Sequence, residues 1–335
     1  MRIFLPFAVK DIGGTSTFAR KFQLGLKAAG HEVFFDYQEE YDVLFLIVQC
    51  PLKYLLDAKR RGKPIVQRLD GTYYWSVAGW RFPLLNAKAA LARHFFTDFS
   101  IYQSRYSREC AGRFLGAKFA DKSAIIYNGV DLDTFSPVGT KITLRDRPDQ
   151  QIFFTASAFR RPDQIRPLIE AAERYQEIYR QPLKLVIAGS FSGGVAGLET
   201  ELKQLPFVQL LGKVKNDELA AYARAADVFV STHLNPPCPN NIIEALACGL
   251  PICSLNDGAM TELVDHQRTG YLVPVKGSGF WRARPFDAVA FARAMRWSTD
   301  NRRRLGVNAR RAAERRFSLL AMSQEYVKSL SALVI

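Results

Sequence analysis

Cysteine and histidine are scarce in this 335-residue chain, and neither is clustered. The five cysteines, Cys50, Cys110, Cys238, Cys248 and Cys253, are scattered, odd in number and free of any C-x-x-C. Neither a disulfide framework nor a zinc site is indicated by such spacing. The four histidines, His31, His94, His233 and His266, stand alone and make no H-E-x-x-H. No window approaches the roughly 18 apolar residues that a membrane span requires. The brief apolar run at the N-terminus stops at Lys10 and Asp11, too early for a secretory signal. The expected location is therefore the cytoplasm. Internal repeats and low-complexity tracts are also missing, as is a G-x-G-x-x-G dinucleotide fingerprint.

Positive charge is plentiful instead. The formal net charge is +14. Residues 1–150 carry 22 Lys and Arg against 15 Asp and Glu, and the remainder 24 against 17, so neither half is a basic tail. Such a balance suits anionic partners, namely phosphorylated small molecules, an anionic membrane face or nucleic acid. Nucleic acid ranks last, because no basic motif with aromatic interleaving occurs at a recognised spacing. The densest run, NRRRLGVNARRAAERRF at 301–317, reads as a solvated helix face, with a membrane-surface contact as the competing reading.

Apolar residues make up 48% of the chain, enough for two cores of Rossmann size. RIFLPF, HEVFFDY, VLFLIV, PIVQRL, FSIYQS and SAIIYNGVD read as strands of a first half, with helices between them. QIFFTAS, LKLVIAG, VQLLG, DVFVST and PICSL repeat the pattern in a second half. Strands alternating with helices of about ten to fifteen residues imply parallel βαβ units. The expected fold class is α/β, with two doubly wound, Rossmann-like domains facing a cleft. The first domain spans 1–138 and the second 150–317. Residues 136–150 form the linker, and a C-terminal helix within 318–335 packs back on the first domain.

Ligands of such sheets bind beyond the carboxyl ends of the strands, so candidate residues are sought there. Gly13 and Gly14 follow the first strand and precede a helix that opens on Thr15; free N–H groups at a helix start favour anions. Arg160 and Arg161 follow the QIFFTAS strand, and paired guanidiniums suit a pyrophosphate. In NPPCPNNIIEALACGLP, 235–251, Pro239 fixes the entry to a helix begun by Asn240 and Asn241, and Gly249 and Pro251 end it. Glu244, about one turn in, can accept from both hydroxyls of a ribose diol. The competing reading is a carboxylate that only supports its own helix dipole. The Asp131-Leu132-Asp133 triplet fits a D-x-D cation motif, but it sits beside the linker, and no metal is expected. The stretch 73–96 is either loop plus core helix or an acceptor flap or membrane-facing segment, with Trp75, Trp80, Arg81 and Phe82 at an interface.

The run 211–273, together with IIYNGVDLDTF at 125–135 and the glycine pair at 13–14, resembles the retaining family 4 of GT-B glycosyltransferases. The resemblance implies a nucleotide-diphosphate sugar as substrate, no cofactor, and a saccharide or lipid-linked acceptor, with peripheral contact at the inner face of a membrane. It implies that Glu244 holds the ribose and that backbone amides around Pro239, Asn240 and Asn241 face the sugar and phosphates. Gly14 then faces the diphosphate, while Lys213 and Val214 flank the base. Three family positions depart. Pro236 stands where the family's first glutamate belongs, eight residues before Glu244. Ala158 and Asp163 stand where it places a diphosphate-binding Arg and Lys, so Arg160 and Arg161 are the expected substitutes. The histidine after the PIVQRL strand is replaced, with Asp70 the nearest polar candidate. These departures keep a second expectation open: a sugar-nucleotide-binding or partner-binding protein with little or no turnover.

Overall fold

The computed structural model describes residues 1–10, 13–118, 122–277, 279–282 and 285–334. The chain divides into two compact units. The first holds Met1–Gly129, Ser278–Ala283 and Leu319–Ile335; the second holds Val130–Gly277 and Arg284–Ser318.

The first unit is built on a six-stranded sheet of β1 (Arg2–Phe4), β2 (Glu32–Phe34), β3 (Val43–Ile47), β4 (Ile65–Leu69), β5 (Phe99–Tyr102) and β6 (Ser123–Ile125), in the order β2-β1-β3-β4-β5-β6. Every pair in it is parallel. All five residues of β3 and of β4 are buried, the mark of parallel strands covered on both faces. The helix Leu319–Ser331 returns to this unit and packs on the helix Gly14–Ala28. Its Tyr326 meets Phe22 edge-on, with ring centroids 5.0 Å apart. At position 25 a Cβ would stand 1.9 Å from Ser323 Oγ, so glycine lets the two helices approach with that hydroxyl in place.

The second unit repeats the plan with β7 (Gln151–Phe159), β8 (Leu183–Phe191), β9 (Val208–Gly212), β10 (Val228–Ser231), β11 (Ile252–Asn256) and β12 (Gly270–Pro274), in the order β12-β11-β10-β7-β8-β9, again all parallel. The architecture is thus two Rossmann-like α/β units. The eleven expected strands all form. The twelfth, GYLVP, is added at the β11 edge; five residues between a turn and a loop carry too short a pattern to stand out.

Residues 136–150 do not behave as a linker: they lie in the second unit, whose boundary falls at Gly129–Val130 rather than near 138. The reason is a set of side-chain ties. Arg224 donates to the carbonyls of Ser136 and Thr140, at 3.1 and 2.7 Å. Arg145 pairs with the buried Asp227 at 2.5 Å, Lys184 donates to Leu144 O at 2.7 Å, and Leu144 is buried.

Candidate functional site

In the second unit, β7, β8 and β9 are laid down to one side and the chain then crosses to place β10 on the other side of β7. The loops after β7 and β10 therefore diverge at the carboxyl edge, the topological switch point where open α/β sheets bind ligands. Arg160 and Arg161 leave β7 there. Gln164 Oε1 accepts from both of their backbone N–H groups, at 2.7 and 3.1 Å, and closes the turn. Thr232, just past β10, donates to Gln164 O at 3.3 Å and ties the two loops together.

The two arginines are not equivalent. Arg161 forms a bidentate pair with Asp163, 3.0 and 2.9 Å, so much of its charge is already matched. Arg160 is exposed and, among the described residues, no carboxylate pairs with its guanidinium. The expectation of two substitute arginines is thereby narrowed to one unpaired cation. Its loop is also pinned by Gly194 N–H, which donates to Arg160 O at 3.0 Å.

The β10 exit is held by a residue that sequence reasoning overlooked. Asp257, past β11, accepts from Asn235 N–H at 2.6 Å and from Gly258 N–H at 2.8 Å. Asn235 is in the left-handed region, φ 53°. Ala259 N–H donates to Pro236 O at 2.8 Å. Gly258, φ +58°, lies so close that a Cβ would stand 2.5 Å from Pro236 Cδ and O. Pro236 is buried in this clamp. The Asn-Asp-Gly triplet at 256–258 is the turn signal that could have pointed to it.

Pro239 then opens the helix Asn240–Ala247 in extended conformation, φ −72° and ψ 122°. Asn241 is committed to structure: its Nδ2 donates to Ala156 O on β7 at 2.6 Å and its Oδ1 accepts from Ile242 N–H at 2.9 Å. The N–H groups of Asn240 and Asn241 meet no acceptor among the described residues, as the first turn of a helix dictates. Glu244 lies one turn on and is 8% exposed, with Ile242, Ile243, Ala245 and Leu246 buried around the same short helix. His233 sits beside this edge, its ring edge-on to Phe159 at 6.1 Å. Burial, with help from the nearby Arg161 charge, pushes its pKa down to about 4 and keeps the ring neutral near pH 7. Lys213 is exposed and Val214 half-buried just beyond β9, two strand spacings or about 10 Å from β7 on the same edge.

A cavity of about 680 Å³ in the same unit lies at the opposite edge of the sheet. It is lined by Arg145, Arg224, Asp227 and Arg302, where strands begin and helices end. Helix carboxyl ends point into it, and its arginines answer carbonyls and Asp227. The run at 301–317 is used in a similar way. Arg310 donates to the carbonyls of Leu132, Phe135 and Ala247, and Arg316 to that of Glu262, whereas Arg303, Arg311 and Arg315 are exposed. Asp131, of the D-x-D triplet, accepts from Asp133 N–H at 3.0 Å and from the Thr134 hydroxyl at 2.7 Å, closing its own turn.

In the first unit the equivalent switch point lies between β1 and β3. Gly13, φ 132° and ψ 142°, caps the helix Gly14–Ala28, Thr17 N–H donates to Gly13 O at 2.9 Å, and Gly14 is exposed with Thr15 half-buried beside it. Asp70, past β4, is less free than expected. Its carboxylate is paired with Arg68, which is only 1% exposed. The Arg68 guanidinium lies 3.5 Å over the Phe18 ring and also donates to Asn128 Oδ1 at 2.7 Å and Gln103 Oε1 at 3.3 Å. Asp70 is thus the counter-ion of a buried cation. The legible signal was an arginine, beside Gln67, inside the strand PIVQRL.

Residues 149–301 match the family model described as glycosyl transferases group 1. The chain is 30% identical over 202 residues to a D-inositol 3-phosphate glycosyltransferase of Mycobacteroides abscessus, covering 52% of this chain and 43% of that protein. It therefore spans less than half the length of that relative. Among solved structures it resembles Anabaena HepE in complex with UDP and glucose, with a TM-score of 0.75, 18% identity and 99% of each chain covered. It also resembles a sucrose-phosphate synthase from Thermosynechococcus elongatus, with a TM-score of 0.71, 21% identity and coverage of 99% and 98%. The fold matches that of GT-B glycosyltransferase structures, and residues 149–301 are similar to the group 1 glycosyl transferases.

Proposed function

We propose that the chain is a glycosyltransferase that moves a hexosyl unit from a nucleotide-diphosphate sugar to a hydroxyl of a saccharide or lipid-linked acceptor, with retention at the anomeric carbon and without a metal ion. The observation that carries this reading is the arrangement at the β7–β10 switch point: two unengaged helix-start amides, one unpaired arginine and one buried glutamate one turn deeper. The diphosphate lies against the amides of Asn240 and Asn241 and against Arg160, and Glu244 accepts from the ribose hydroxyls. Lys213 and Val214 border the base. As the glycosidic bond breaks, charge gathers on the leaving diphosphate, and donors already aimed there stabilise it without reorganising. No side chain is assigned as base; the leaving phosphate oxygen takes the acceptor proton on the face where attack occurs. Gly13, Gly14 and Thr15, at the first unit's own helix start, are a second place where backbone amides suit an anion. The protein works in the cytoplasm or at the inner face of a membrane. UDP in a structural neighbour supports a uridine donor as the first to try.

The second reading is a sugar-nucleotide-binding protein with little turnover. It is favoured by the buried Pro236, the Arg161–Asp163 pair and the Arg68–Asp70 pair, each at a position where the family resemblance expects working chemistry. Incubation with UDP-, GDP- and ADP-sugars, with detection of released nucleotide, separates the two. Release that survives EDTA supports the metal-independent transferase. Calorimetric binding without release or transfer to any acceptor supports the binding protein.

A further inference from the structure

The connection between β4 and β5 in the first unit is folded inside out. The helix Phe82–Leu91 buries only Asn86 and Ala89. Asn86 turns inward to bridge the backbone of Tyr73, accepting from its N–H and donating to its carbonyl, both at 2.9 Å. The bulky residues point the other way: Leu84 is 68% exposed and Leu91 45%. Before this helix, Trp75 and Trp80 are exposed, and the π-turn after it leaves Phe95 77% exposed. Trp281 joins the same face, because Ser76 N–H donates to Phe280 O at 2.8 Å and the Trp281 ring meets Phe82 at 6.1 Å. A helix whose apolar residues lie outward is not stabilised by water; such a continuous face marks an interaction surface.

Charge selects the occupant. Residues 71–97 contain no Asp or Glu. Arg81, Lys88 and Arg282 are exposed around the apolar face. A second copy of the chain would bring the same cations against them, which like-charge contact disfavours. Tryptophans beside bulky aliphatics, rimmed by cations, are the composition of segments that lie in the headgroup boundary of anionic bilayers. We infer that this face, from Trp75 through Phe95 with Trp281, docks the protein on an anionic membrane surface. Resting on the transferase reading, a lipid-borne hydroxyl is the acceptor this face suits, because the β4–β5 connection leaves the sheet at its carboxyl edge.

The test is sedimentation of the full chain with vesicles of phosphatidylcholine alone and of phosphatidylcholine mixed with phosphatidylglycerol. Binding is expected to the mixed vesicles and to weaken with salt. The double variant W80S/L84E should bind them at least about tenfold more weakly, because two bulky apolar side chains no longer enter the boundary. L320E, at an exposed leucine on the helix Leu319–Ser331, should bind like the unaltered chain. Thermal melting and UDP calorimetry on each variant report folding and the donor site separately. Failure to bind either vesicle, or equal binding by W80S/L84E, overturns the bilayer inference while retained UDP binding leaves the transferase reading standing. A lipid-free dimer that W80S/L84E abolishes overturns it too, by assigning the face to a second copy.

Discussion

The carboxyl edges of the two sheets are built in opposite ways. In the second unit, neutral and acidic side chains clamp loops so that backbone amides are left over: Gln164 gathers two N–H groups, Asp257 gathers two more, and Asn241 sews a helix start to β7. In the first unit, a guanidinium is buried at the heart of the edge and its neighbours are spent compensating it. One edge leaves helix-start amides unengaged and the other holds its own cation. The group 1 match falls on residues 149–301, whereas the structural likeness covers the whole chain. The likeness of fold thus extends beyond the residues that the family model matches.

Removing the buried cation should have the largest effect. Arg68→Met removes the guanidinium from the Asp70 carboxylate and from Asn128 Oδ1 and Gln103 Oε1, the last of which keeps the Asn128 Nδ2 donor, and breaking a buried pair from one side costs about 3–5 kcal/mol. Urea denaturation should show that loss, and a cost below about 1 kcal/mol would mean the network is not a stabilising element. In the other unit, Glu244→Ala should spare stability but weaken UDP binding about ten- to a hundredfold, the worth of a hydrogen bond to a charged group at roughly 1.5–3 kcal/mol. Unchanged affinity by calorimetry would remove Glu244 from the ribose. The arginines give a finer contrast. Arg160→Ala should weaken UDP binding about tenfold and Arg161→Ala by less, because Arg161 is engaged by Asp163. The reverse order would show that the Arg161–Asp163 pair opens for ligand.

The smallest effect concerns His233. Its folded pKa, about 4, lies below the ordinary 6.5, so the unfolded chain takes up a proton first as pH falls. Its contribution to stability is complete above about pH 6.5 and declines toward about pH 4. Thermal melting of His233→Gln against the unaltered chain across that interval should show a shallower acid loss in the variant. Parallel curves would assign the acid sensitivity to other groups.

Much of this molecule is written in local pattern. The β-branched and aromatic runs, each followed by a helix at regular spacing, specify eleven of twelve strands and their parallel order of layers. Pro239, Asn240, Gly249 and Pro251 mark the beginning and end of one helix because those residues act through their own backbone. Glu244 is legible as a candidate for the same reason, since its distance from the helix start is a count of residues. Whether a nearby side chain turns inward is not legible in the same way. Asp70 and Arg161 each have their partner only two residues away, and what tertiary packing adds is the burial of Arg68 against Phe18, Asn128 and Gln103. The membrane-like face divides in the same manner. Sequence shows aromatics with cations and no acids, but a core helix would read alike. Which side of Phe82–Leu91 meets water is decided by Asn86 finding the backbone of Tyr73, a long-range hydrogen-bonding choice that composition does not contain.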